Sequence, residues 1–152
     1  MLRFFFLVAL GLLAAVPRAQ AQQHNRVANY YTGTPGTASY EHFSFWSTAG
    51  RRGDMQYSQG TRQSDQNDAT LRYAGPARLQ GQPAFKVRFP SGKVLYVALR
   101  DTALLVATSA TAAPKIFQWE YQGPVNGVGT ACSVCTPDAK AAVQLVQGYF
   151  VR

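Results

Sequence analysis

The sequence predicts an α+β fold, mainly antiparallel β: a curved sheet or small open barrel of six to eight strands with one C-terminal helix. Three observations predict it. Short apolar runs with two-residue alternation follow one another through the middle of the chain, separated by Gly, Pro and Asp turn signals. Two of these runs, "KVLYVAL" and "ALLVATS", are apolar on both faces, as strands covered on both sides must be. Only one stretch, after Thr136, repeats small and apolar residues at helical spacing.

The chain opens on "MLRFFFLVALGLLAAVPRAQAQ", with basic Arg3, an apolar run from Phe4 to Val16 and Ala19-Gln20-Ala21 as a small-x-small cleavage site. This predicts a signal peptide over 1–21, cut after Ala21, and hence a secreted or periplasmic protein. The run is shorter than the roughly 20 residues a membrane-crossing helix needs, and no later segment is longer. Without Arg3 and Arg18 the mature chain carries 13 basic and 7 acidic residues, a net charge of +6. A basic exported domain is drawn to anionic surfaces such as acidic polysaccharides or envelope components. No block of like charges is present, so sequence-specific nucleic-acid binding is not expected.

Gln22 to Thr37 shows no apolar period and ends in turn residues, which predicts a flexible N-terminal segment before a single β-rich domain over 38–152. "YEHFSFWS" alternates, with Glu41, Phe43 and Phe45 on one face and Tyr40, His42, Ser44 and Trp46 on the other. "MQYSQ" is its expected partner across a hairpin loop of about seven residues. Ser58 to Thr70 is polar, and its length marks it as a flap or functional loop. "TLRYAG", "AFKVRF" and the two apolar runs then form a meander, with turns expected at Gly-Pro, Gly-Gln-Pro, Pro90-Ser91-Gly92 and Arg100-Asp101. In "AFKVRF", Phe85, Val87 and Phe89 face inward and Lys86 and Arg88 outward. "KIFQWEYQ" places Phe117, Trp119 and Tyr121 on one face as an aromatic anchor. Thr136-Pro137-Asp138 then reads as a helix start, with Thr136 as cap and a helix over about 137–147 stopped by Gly148.

The candidate chemistry is sparse. His42 is the one histidine inside the fold, the other being His24 of the N-terminal segment, and no G-x-S-x-G elbow accompanies it. Of the seven carboxylates, Asp54, Asp101 and Asp138 are accounted for by turns and a helix start and Asp65 and Asp68 by a polar loop, while Glu120 is expected to face away from its aromatic neighbours; no catalytic pair is evident. Arg52-Gly53-Asp54 spells a cell-adhesion tripeptide, which turns produce by chance. "GPVNGVGT" lacks the ending of a phosphate loop.

Cys132 and Cys135 form the only C-x-x-C. Two cysteines and one ordered histidine are too few for a zinc site, and Thr136 stands where haem attachment requires histidine. No metal or other cofactor is expected. A disulfide between them closes so short a loop that it contributes on the order of 2 kcal/mol and acts as a local clasp. The catalytic-dithiol reading is the rival, because a C-x-x-C at a helix start lowers a thiol pKa.

The leading reading is a small, non-enzymatic binding or interaction domain. Arg72, Lys86 and Arg88 form the candidate anion-binding set, and Tyr40 with Trp46 the candidate glycan-stacking set. The alternatives are an extracytoplasmic thiol-disulfide protein and a structural cell-envelope component.

Overall fold

A computed structural model describes residues 25–48, 51–60, 69–121 and 134–150. The predicted leader over 1–21, most of the polar loop and the glycine-rich segment before the cysteines lie outside the described residues. The strands are β1 (Asn25–Thr32), β2 (Glu41–Thr48), β3 (Arg51–Gln59), β4 (Ala69–Leu79), β5 (Gln82–Arg88), β6 (Val94–Arg100), β7 (Ala103–Ala107), β8 (Lys115–Glu120) and the short β9 (Val134–Cys135). One helix, α1, spans Ala139–Gln147.

Strands β1 to β8 follow one another antiparallel and close into a ring, because β1 pairs with both β2 and β8. One edge of β1 is matched to β2 along its whole length, from Asn25 opposite Thr48 to Thr32 opposite Glu41. Its other edge is shared: β8 takes Asn29 to Tyr31, and β9 runs parallel beside Arg26 and Val27. The α+β, mainly antiparallel class is therefore the observed one.

The ring is filled by one side-chain set from every long strand. Ala28, Tyr30, Phe43, Phe45, Met55, Leu71, Phe85, Val87, Leu95, Val97, Leu104, Val106 and Phe117 form one buried cluster. Helix α1 closes the ring at the end where β1 begins, sending Ala142 and Val146 into the same cluster, and Tyr149, just after it, joins them. The apolar outer faces of β6 and β7 are covered as well. Ala98, Leu105 and Ala107 pack with Leu79 and Ala84, and the loop after β7 lies over them with Ala112. Gln80 ties that loop down, its backbone N–H donating to Ala110 O at 2.8 Å.

Several local expectations are corrected. The 22–37 segment is not a free tail, since Asn25–Thr32 is the strand that closes the ring. Val27, Ala28, Asn29 and Tyr30 are each at most 2 % exposed. Its pattern was weak because one buried position is Asn29, which is satisfied by a side-chain partner rather than by being apolar.

The long loop expected between β2 and β3 is strand instead, with pairing that continues to Thr48 opposite Arg51 through a bulge between Phe45 and Ser47. Gly53 permits this, because a Cβ there would stand 2.4 Å from Trp46 O. Gly75-Pro76 is likewise not a turn. It lies inside β4 at a bulge between Tyr73 and Pro76, where proline's missing N–H is tolerated. The turn falls at Gln80-Gly81, both with positive φ as a two-residue hairpin requires.

At the helix, Asp138 is the N-cap, accepting from Ala141 N at 2.8 Å. Thr136 prolongs the β9 pairing, donating its N–H to Val27 O. The residues after the helix dock rather than fray. Tyr149 is 1 % exposed, and Phe150 meets Phe85 edge-on at 4.6 Å.

Candidate functional site

The basic residues of β4 and β5 come together on the outside of the ring. Arg72 is directly opposite Arg88, and Lys86 stands two residues along β5, about 7 Å away on the same face. Phe85 and Val87, the alternate residues, are in the core, which forces Lys86 and Arg88 outward. Arg72 and Arg88 are exposed, while Lys86 is half-buried beside its cross-strand neighbour Tyr96. Among the described residues, none holds any of the three by a hydrogen bond or ion pair. From Ala69 to Arg100 the chain has six basic residues, Arg72, Arg78, Lys86, Arg88, Lys93 and Arg100, and no carboxylate. That one-signed run was legible in the sequence; the pairing of Arg72 with Arg88 was not, because the Gly75 bulge sets the register.

Two carboxylates, Glu41 and Glu120, stand on the other side, at the seam where the ring closes. Glu41 is 8 % exposed, bonded to Lys115 and accepting from the Tyr57 hydroxyl at 3.0 Å. Burial, then the Glu41 charge, raises the Tyr57 pKa well above its ordinary value.

The aromatic pair is not a platform. Tyr40 is 3 % exposed, stacked between Tyr31 (6.2 Å between ring centres) and His42 (6.1 Å). Trp46 lies six residues further along, roughly 20 Å away by strand rise, with its indole N–H buried. A sugar ring cannot rest on both. The sequence placed them correctly on the outer face, but that face is covered around β1, where Val27 and Asn29 are also buried.

The same seam assembles a set that single-strand reasoning missed. His42 Nε2 lies 3.9 Å from Glu120 Oε2, across from β8. Ser44 Oγ lies 3.4 Å from His42 Nδ1 and donates to Asn29 Oδ1 at 2.8 Å. Serine, histidine and acid thus stand in line, yet the geometry favours structure over hydrolysis. Ser44 is 7 % exposed with its proton committed to Asn29. The β2 backbone is paired on both sides, leaving no free N–H pair to stabilise an oxyanion. The sequence showed Glu120 facing away from the aromatics, but only ring closure brings it to His42.

Among the described residues no cysteine is free, and Cys135 is disulfide-bonded; Cys132 lies outside them. Cys135 sits in extended β9 beside Val27, three residues before the Asp138 cap. It therefore lacks the helix N-terminal field that activates a C-x-x-C thiol. Arg52-Gly53-Asp54 is part of β3, not a turn. The Arg52 guanidinium lies 4.6 Å over the Tyr73 ring and 5.1 Å from that of Tyr149, and donates to Gly148 O at 2.6 Å. No group of three or more metal-ligating side chains occurs among the described residues, and no helix there is long and apolar enough to cross a membrane.

Comparison with models of protein families, with curated proteins and with solved structures returns no match to this chain. The functional reading rests on the residues themselves.

Proposed function

We propose that the protein is a small exported binding domain, without enzymatic activity, whose outer β4–β5 face holds an anionic partner, an acidic polysaccharide foremost. The observation that carries this is Arg72 directly opposite Arg88, with Lys86 beside them and no carboxylate on β4, β5 or β6. Like charges directly opposite on a sheet are destabilising. An anionic polymer along the strands would relieve that cost. The proposal includes export through the 1–21 leader and a Cys132–Cys135 disulfide formed in an oxidising compartment, which anchors the chain where β9 hands over to the helix.

The test is elution from immobilised heparin on a salt gradient, comparing two double variants of equal net charge. Lys86→Glu with Arg88→Glu should elute at clearly lower salt than wild type. Arg26→Glu with Lys140→Glu, two exposed positions off this face, should shift little. Equal shifts in both would reduce the effect to overall charge and overturn the site.

A further inference from the structure

Helix α1 closes one end of the ring incompletely. Between its last turn and the facing ends of β5 and β6 is a cavity of about 440 Å³, lined by Gln82, Pro83, Leu99, Gln147 and Phe150. Its volume lies within the range of small-molecule sites. The side chains of Pro83, Leu99 and Phe150 make the walls apolar, and Phe150 rests edge-on against the core residue Phe85. Gln82 and Gln147 supply the amide groups. The long β4–β5 hairpin forms one rim, where Arg78 is the cross-strand partner of Pro83 and is exposed. Among the described residues its guanidinium donates to Gly81 O alone, at 2.8 Å. On the neighbouring strand Arg100 directly follows Leu99, with Asp101 in the turn beyond it. A helix C-terminus would repel an anion, but Arg52 already occupies the Gly148 carbonyl.

We propose that this cavity takes the aliphatic chain of a single-chain anionic amphiphile of the fatty-acid class, with its head group at Arg78. An apolar wall with the exposed Arg78 and Arg100 on its rim matches an acyl chain that ends in an anion. The site is separate from the outer β4–β5 face: it uses Leu99, Gln147 and Phe150, and it does not depend on Lys86 or Arg88.

The test is titration calorimetry of the full mature protein with dodecanoate and with dodecanol, both below their aggregation limits. Dodecanoate should bind one to one. Leu99→Trp and, separately, Gln147→Trp fill the cavity and should weaken it by about tenfold or more, equivalent to about 1.4 kcal/mol. Gln147 is exposed, so that variant keeps the cavity testable should Leu99→Trp disturb the fold. Arg78→Gln should weaken dodecanoate several-fold and leave dodecanol unchanged, and Lys86→Glu with Arg88→Glu should alter neither. Absence of dodecanoate binding, or undiminished binding in folded Gln147→Trp, would overturn the proposal. Wild-type protein that binds dodecanoate but is not retained on heparin would count against the outer face alone.

Discussion

Tyr30 and Tyr149 are phenols buried in the same core, and they differ in what their hydroxyls meet. Tyr149 Oη donates to Trp46 O at 2.7 Å, whereas Tyr30 Oη is buried with no hydrogen-bond partner among the described residues. A buried hydroxyl left unpaired costs free energy, while a paired one contributes on the order of 1 kcal/mol. Tyr149→Phe should therefore lower stability by about 1–2 kcal/mol, and Tyr30→Phe should be neutral or stabilising, as read from urea denaturation at pH 7. Burial raises both pKa values in the folded state above the unfolded value of about 10. Above pH 10 the unfolded chain releases these protons and the folded chain keeps them, so stability is complete below pH 10 and falls as pH rises further. Tyr30→Phe should flatten that alkaline decline, and an unchanged slope would show that Tyr30 ionises as freely in the folded protein as in the unfolded one.

Among the elements, the helix is the clearest case of a right element with a displaced boundary. Thr136-Pro137-Asp138 announces a helix start, but two residues in it can cap, and the choice is made by β1. Thr136 is drawn into the β9 pairing by Val27 O, which leaves the cap to Asp138. Asp138→Ala should cost about 1 kcal/mol, measured as a lowered denaturation midpoint, whereas Thr136→Val, which keeps the backbone bond, should cost less. A larger loss at Thr136 would restore it as the cap. Strand β4 shows the same limit. Gly75-Pro76 is a strong local turn signal, yet Phe85, Val87 and Leu71 are all buried only if β4 continues past it as a bulge.

At the scale of the molecule, closure of the ring depends on the first strand. Removal of the proposed leader after Ala21 would leave β1 whole, and the product should begin at Gln22 with the mass of the proposed disulfide form, two hydrogens below the reduced chain. A chain begun at Ala38 lacks the strand that joins β2 to β8 and should show no cooperative unfolding by circular dichroism. Folding of that shorter chain would mean that the ring closes without β1.

Residue pattern alone predicts the class, the meander of β4 to β7, the inward set Phe43, Phe45, Phe85 and Val87, the late helix and the basic character of β4 and β5. These follow from side-chain period and turn chemistry, which act within a few residues. Only the tertiary structure decided that 25–32 is a closing strand, that Arg72 faces Arg88, that Glu120 reaches His42, and that Tyr40 is buried. Each of these depends on register between segments far apart in the chain. A bulge shifts that register, and a buried Asn–Ser pair disguises a buried position, without leaving any local pattern to read.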